Sequence, residues 1–129
     1  MENHSISRLL AVSNAFTCGK AAKQGPTPNE ASAITATTDK PIGIYSSPEQ
    51  ITAGMTAAGT TRNGAFVVQG KAMGLAGATA VAAGDSVVID ATGALVTKAA
   101  AGYVVGDALT PAAAGEWFEL IVNIRKEPA

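Results

Sequence analysis

The sequence predicts an all-β protein: a small jelly-roll-like sandwich or barrel with an extended N-terminal arm. From residue 41 onward, short runs rich in β-branched and aromatic residues recur, separated by Gly, Ala and Asp. Long helical patterns do not intervene between these runs, and this spacing is typical of all-β sandwiches and barrels. At 129 residues, the chain has room for one domain with one modest core.

Residues 1–40 are predicted to form an arm, distinct from a β domain over residues 41–129. The stretch SISRLLAVSNAF places Ile6, Leu9 and Leu10 at helical spacing, which predicts one or two helical turns. The residues that follow are small, polar and turn-forming, with glycine and proline breakers. Because such a segment buries too little surface to fold alone, we expect it to order against something else or to stay mobile.

The β domain contains several predicted strands, among them IGIY, AFVVQ, DSVVID, ALVT and YVV. The clearest is WFELIVNIRK, in which apolar and polar residues alternate. One face carries Phe118, Leu120, Val122 and Ile124, and the other carries Trp117, Glu119, Asn123 and Arg125. This alternation predicts a half-buried strand.

Composition and charge exclude several classes of partner. Apolar residues make up 47% of the chain, but the excess is in Ala and Val, so we expect a core of low buried area and a gain in stability from assembly. Nine basic and ten acidic residues are scattered along the chain, and the absence of a basic stripe argues against nucleic-acid binding. The one cysteine, Cys18, cannot form an internal disulfide and is expected to be an unreactive thiol.

The sequence also argues against a membrane partner. Its apolar runs are much shorter than the roughly 20 residues that cross a bilayer. The first residues lack the basic and apolar regions of a signal peptide. We therefore expect a soluble chain without an export signal.

The stretch VAAGDSVVIDATGALV raises the question of whether Asp90 is catalytic. An aspartic protease has Thr or Ser directly after its acid, whereas Ala91 follows here, and no second motif supplies the other carboxylate of the dyad. We interpret Asp90 as opening a turn in which Gly93 is the left-handed residue. Asp85 and Asp107 are interpreted as solvated turn acids.

Other candidate chemistry is equally weak. GAFVVQGKA differs from a phosphate loop, since five residues separate Gly64 and Gly70 and Ala72 follows Lys71; we interpret it as a strand ending in a glycine turn. The single histidine, His4, lies in the expected mobile segment, which disfavours Ser-His-Asp and zinc sites. The prediction is a protein that is not an enzyme, with no catalytic, metal or cofactor site.

Motifs in the C-terminal half resemble those of tailed-phage capsid cement or decoration proteins. The family pattern has A-G-D, a short strand, D-x-x-G, a second strand, V-[IV]-G-x-A and A-A-A-G-E before a final strand. The matching positions are Ala83-Gly84-Asp85, Asp90 with Gly93, Val105-Gly106-Asp107-Ala108 and Ala113-Ala114-Gly115-Glu116, and KPIGIYSS from Lys40 is similar to an earlier strand-turn of the family. The resemblance covers about two-thirds of the chain and leaves out the first 35 or so residues. Asp107 stands where the family more often has an apolar residue.

The resemblance implies a β domain that sits on the outside of an icosahedral head as a dimer or trimer. Its partner would be the major capsid protein, whose neighbouring subunits it would tie together. It would then be found on the outer capsid surface of the virion, after synthesis in the host cytoplasm. The alternative is a head-fibre or tail-associated β module that binds a host surface.

Five residues are candidates for the partner interface. Ile6, Leu9, Leu10 and Phe16 are apolar residues of the predicted arm, and Trp117 begins the last strand. Each has an alternative role: the arm residues would cover their own domain, and Trp117 would cap the core. Since charges are few and balanced, we expect apolar contact to supply most of the binding energy.

Overall fold

The computed structural model describes residues 3–128 and is built almost entirely of strands. In chain order these are β1 (His4–Leu10), β2 (Ala21–Gln24), β3 (Glu30–Ala33), β4 (Pro41–Tyr45), β5 (Asn63–Leu75), β6 (Ser86–Ile89), β7 (Leu95–Thr97), β8 (Gly102–Ala108) and β9 (Trp117–Glu127), with a short 3-10 helix at Ala53–Thr56. The strands form one sheet in the order β1-β3-β2-β4-β5-β9-β8-β6-β7, and β1 also pairs with β5. The all-β prediction is confirmed.

The first five strands form a closed barrel, because β1 pairs with β3 on one edge and with β5 on the other. The β1–β3 pair is parallel, and the other pairs of the barrel are antiparallel. Inside, the rings of Phe16, Tyr45 and Phe66 pack with the small side chains of Ala22 and Ala31. Closure leaves no unpaired strand edge in this part of the molecule.

Strand β5 belongs both to the barrel and to the part of the sheet that extends beyond it. Its first half pairs with β1 and β4, and residues 69–75 pair with β9. The register of the β1–β5 pairing shifts between His4 and Ser5. Nearby in β5, Gly70 has a φ of 102°, a conformation that favours glycine. GAFVVQGKA is therefore strand, as predicted, but the predicted turn at Gly70 is wrong, because the strand continues to Leu75.

The remaining strands extend the sheet beyond the barrel. Strands β9, β8, β6 and β7 pair in that order, all antiparallel, and we call them with the second half of β5 the open sheet. The alternation predicted for the last strand is confirmed, since Phe118, Leu120 and Val122 are buried while Trp117 and Asn123 are exposed. The buried face packs as a mainly aliphatic core that includes Val87, Leu95 and Val105 with Phe118, and Ile44 of β4 joins it.

The predicted arm requires correction. The helical turn predicted for residues 6–10 is wrong, because this stretch is strand β1 and pairs along its length with β5. His4, expected in a mobile segment, pairs with Gln69. Strands β2 and β3 also lie before residue 40, so this segment is extended but forms three strands of the barrel rather than a separate arm.

Asp90 turns the chain, as predicted. Its Oδ1 atom accepts hydrogen bonds from the backbone N–H of Thr92 and Ala94, at 2.8 and 3.1 Å, and from the Thr92 hydroxyl at 2.7 Å. Gly93 has a φ of 88°, the left-handed conformation expected for it. The carbonyl of Gly93 also accepts a hydrogen bond of 2.9 Å from the N–H of Ala21, which ties this turn to the barrel.

The other two aspartates differ from each other. Asp85 is a turn residue, as predicted, and its Oδ2 accepts a hydrogen bond of 3.0 Å from the N–H of Ala82. Asp107 is not in a turn but within β8. There its carboxylate accepts hydrogen bonds from Ser86 Oγ at 2.8 Å and Arg125 Nη2 at 3.1 Å, which explains how an acid fits at a strand position.

Candidate partner interface

Two of the five predicted contact residues lie in the protein's own core. Leu10 and Phe16 are each 4% exposed. The Phe16 ring centroid lies 5.8 Å from that of Tyr45 and 6.1 Å from that of Phe66. This corrects the expectation that they serve as contact anchors, because a side chain buried in the folded chain has no surface to offer a partner.

Ile6 and Leu9 are half-buried on β1. Ile6 packs against the aromatic cluster of the barrel, in agreement with the alternative that arm residues cover their own domain. Leu9 pairs with Glu30 on one edge and Asn63 on the other. Both keep part of their surface, and their role in partner contact stays a prediction.

Trp117, the fifth candidate, is 45% exposed and lies outside the core clusters. Its backbone pairs with Leu75 of β5, so the two side chains share one face of the sheet. One edge of the indole packs closely on Gly19, where a Cβ atom would lie 2.6 Å from Cζ3 of the ring. The indole is thus held in place by the protein while much of its surface remains open to a partner.

Other apolar side chains surround Trp117 on the same face. Met73 pairs with Glu119, and the N–H of Leu109 donates to the Glu119 carbonyl at 2.7 Å. We define the apolar outer face as Met73, Leu75, Leu109, Trp117 and Ile121. Among the described residues, four large apolar side chains are classed as exposed, and three of them, Met73, Leu109 and Trp117, belong to this face.

Charged side chains border the apolar outer face in ion pairs. Asp107 pairs with Ile121 across β8 and β9, and its carboxylate forms an ion pair of 3.1 Å with Arg125. Lys71 Nζ and Glu119 Oε1 form an ion pair of 3.2 Å, and both side chains are well exposed. Such a pair contributes about 0–1 kcal/mol and is screened by salt, so apolar contact dominates what this face can offer.

A groove of about 370 Å³ borders this face, lined in part by Met73, Lys71 and Cys18. Burial raises the pKa of the Cys18 thiol. Because the thiolate is the nucleophilic form, this thiol is a poor candidate for covalent chemistry. The groove extends the surface next to Met73 without adding a reactive group.

Metal-ligating clusters and membrane-spanning helices are both absent from the described residues. Residues 3–128 contain no group of three or more His, Cys, Asp or Glu side chains placed to hold a metal ion. The same part of the chain has no helix of the length and apolarity that a membrane span requires.

Sequence reasoning found Trp117 but missed Met73 and Leu109. A period-two pattern around Met73 was available, since Gly70, Ala72 and Gly74 alternate with Lys71 and Met73. Leu109 had no such signal. Its place beside Glu119 depends on the register between β8 and β9, which the sequence does not display.

A comparison with known protein families decides the identity. The family described as "Structural cement protein (E217 gp24/Pam3 gp6)" matches residues 1–123. The chain belongs to this family of phage structural cement proteins. The resemblance predicted from the C-terminal motifs is confirmed, and the match also includes the first 35 residues, where the motifs gave no signal.

Among solved structures, the cement protein is similar to one described as "The crystal structure of head fiber gp8.5 N base in bacteriophage phi29". The TM-score is 0.69 at 14% sequence identity, over 93% of this chain and 95% of the other. At this identity the likeness shows a shared fold. The search of curated proteins found no match.

Proposed function

We propose that this protein binds the outer surface of a phage head and stabilises it by bridging neighbouring major capsid subunits. It acts there as a homo-oligomer, a dimer or trimer, after synthesis in the host cytoplasm. Membership of the cement family supports this proposal. The observation that carries it is the grouping of exposed apolar side chains on one sheet face around Trp117.

The energetics favour an apolar contact repeated in several copies. Burial of apolar surface contributes roughly 25 cal/mol per Å². A symmetric oligomer presents the same face several times, and linked weak contacts then hold far more tightly than one. A net charge of −1 leaves little long-range attraction to supply the binding energy.

The test is occupancy of purified, expanded empty heads, measured after sedimentation. The double variant Met73→Ser with Trp117→Ser should lower the affinity on the order of thirtyfold, the usual cost of losing an aromatic anchor. Val12→Ser is the matched control, because Val12 is an apolar residue that is 54% exposed but lies outside the apolar outer face. Its occupancy should equal that of the wild type.

A salt series checks the nature of the contact. Occupancy should persist from about 0.1 to 1 M salt, where the Debye length falls from about 10 to 3 Å. Release by salt, together with full binding by the double variant, would contradict the apolar contact. Light scattering of the free protein tests the oligomer, and a monomer at all concentrations would contradict that part of the proposal.

A head-fibre or tail-associated module that binds a host surface is the second candidate. The observation that favours it is the shared fold with a structure described as a head fibre base. Incubation of the purified protein with heads and with host cells separates the two. Binding to heads alone supports the cement function, and binding to cells alone supports the alternative.

A further inference from the structure

A second surface lies on the outer side of β6, β7 and β8, around Tyr103. Here an open groove of about 480 Å³ is lined by Val88, Val96 and Tyr103, together with the turn at residues 99–102. Val88 and Val96 pair across β6 and β7 and are half-buried, and their neighbours Val87 and Leu95 point into the core. The groove therefore has an apolar floor that faces solvent. We call it the Tyr103 groove.

Lys126 lines the Tyr103 groove, and two other lysines lie next to residues that line it. Lys126 pairs with Tyr103 across β8 and β9, and its Nζ lies 5.8 Å from the centre of the tyrosine ring. Lys40 Nζ lies 6.0 Å from the same centre. Lys98 follows the lining residue Thr97, and its Nζ donates to the Pro128 carbonyl at 2.8 Å.

The three lysines near this groove form no ion pair within residues 3–128. Four of the nine basic residues form ion pairs within residues 3–128: Lys23, Arg62, Lys71 and Arg125. The three lysines of the groove are among the other five. Two carboxylates also lie here: Asp90 lines the groove, and Asp85 Oδ2 accepts a hydrogen bond of 3.0 Å from the lining residue Thr97. Three lysines against two aspartates leave this groove with a positive excess in a protein whose net charge is −1.

We propose that the Tyr103 groove binds an extended acidic polypeptide segment of a partner protein. Carboxylates of the segment would lie near Lys40 and Lys126, and its apolar side chains would lie on Val88 and Val96. Alternation of acidic and apolar residues suits such a surface, since an extended chain points successive side chains to opposite sides. The inference rests on the proposed function only for the source of the segment, a capsid subunit other than the one that contacts the apolar outer face.

The probe is a synthetic octapeptide that alternates glutamate and valine, titrated into the isolated protein and followed by NMR. Backbone signals of Thr97, Ala99 and Tyr103 should shift, and the indole N–H of Trp117 should not. Lys126→Glu should weaken binding at least about fivefold, because it replaces an attraction with a repulsion. Lys20→Glu is the matched control, since it changes the net charge equally at another site and should leave the affinity within about twofold.

Several results would overturn the proposal. It fails if the peptide shifts no signal of the groove, or if Lys20→Glu weakens binding as much as Lys126→Glu. It also fails if an oligothymidylate of equal charge binds the groove as tightly, since the surface would then be a general polyanion site. Lys40→Glu, at a residue outside β9, is a second variant and should weaken peptide binding as Lys126→Glu does. None of these results depends on capsid occupancy, so failure here is distinguishable from failure of the cement function.

Discussion

The closed barrel and the open sheet bury their cores in different ways. In the barrel, the rings of Phe16, Tyr45 and Phe66 lie 5.5 to 6.1 Å apart and fill the space enclosed by five strands. In the open sheet, aliphatic side chains such as Leu120 and Val122 cover one face only. The barrel encloses its core, whereas the open sheet leaves large apolar side chains exposed on its other face.

This difference assigns separate tasks to the two regions. The barrel has paired edges and a central aromatic cluster, so it contributes stability. On the outer face of the open sheet, Met73, Leu109 and Trp117 remain exposed, although one edge of the indole packs on Gly19. Exposed apolar patches on a soluble protein commonly mark interaction sites. We infer that the open sheet makes the contacts with a partner, and that the barrel stabilises the fold that holds this sheet in place.

Phe16→Ala should produce the largest effect on folding. Removal of a buried aromatic ring costs about 3–5 kcal/mol of unfolding free energy. Trp117→Ala, in the open sheet, should cost about 1 kcal/mol or less, because the indole is 45% exposed. Urea unfolding of the isolated protein measures both. Equal losses of unfolding free energy would contradict the distinction between the two regions, since Trp117 would then stabilise the fold as much as the barrel core does.

Burial also determines which variants can test Leu9 and Leu10 as partner contacts. Leu10 is 4% exposed, so a joint change of both to Ser would disrupt the barrel. Any loss of capsid binding would then follow from unfolding. Leu9→Ser alone is the informative variant for partner contact.

The junction between the two regions should show the next largest effect, at Gly93. A Cβ atom there would lie 2.8 Å from the carbonyl oxygen of Ala21 in β2. Gly84 is a matched control, because its φ of 90° is close to the 88° of Gly93 while nothing lies within 4 Å of its Cβ position. Substitution of either glycine by Ala should lower the free energy of unfolding by about 1 kcal/mol, because alanine disfavours a positive φ.

Gly93→Ala should cost about 1–3 kcal/mol more than Gly84→Ala, since the turn must move away from the barrel. Asp90→Asn should change stability by less than about 0.5 kcal/mol, because the side-chain oxygen remains. Urea unfolding measures all three. If the two glycine variants lose equal stability, the contact with Ala21 does not join the regions as described.

Much of the open sheet was predictable because the patterns that indicate its strands and turn lie within short stretches of the sequence. Alternation in WFELIVNIRK identified both the strand and its buried face, and the Asp90 turn has a recognisable local chemistry. The exposure of Trp117 follows from the same alternation. The rest of the apolar outer face depends on which residues of β5 and β8 meet β9, and this register is set by pairing between distant residues.

Of the barrel strands, β4 and β5 contain the predicted runs IGIY and AFVVQ, but β1, β2 and β3 were not predictable, for a physical reason. Strands β2 and β3 have the sequences AAKQ and EASA, which lack the residues that favour strands. They become strands because partners pair with both of their edges, and because a small barrel filled by aromatic rings has room only for alanine at Ala22 and Ala31. Strand β1 depends on β5, with Leu9 paired to Asn63.

A further test of the barrel lies in the loop between β3 and β4, at Asp39. Its Oδ2 atom accepts hydrogen bonds from the backbone N–H of Thr35 at 2.9 Å and of Ala36 at 3.0 Å, and from Lys23 Nζ at 3.1 Å. The hydrogen bond from Thr35 is the largest cause that lowers the pKa of Asp39, and Lys23 and Ala36 add to it. The charged carboxylate is therefore favoured in the folded state.

The sign of the pH dependence follows from this shift. Because the pKa is lower in the folded than in the unfolded chain, the carboxylate stabilises the fold above the unfolded value of about 3.9, and the stabilisation is lost as the pH falls through the folded value. Asp39→Asn should cost about 1 kcal/mol at neutral pH, the difference between charged and neutral acceptors. Its stability should converge with that of the wild type in acid.

Lys23→Gln sharpens this test within the barrel. It removes the ion pair but leaves both backbone hydrogen bonds to Asp39, so it should cost less than Asp39→Asn and keep most of the acid dependence. Urea unfolding at a series of pH values measures both variants. A difference between Asp39→Asn and the wild type that stayed constant from neutral to acid pH would show that the loop depends on the shape of this side chain and not on its charge.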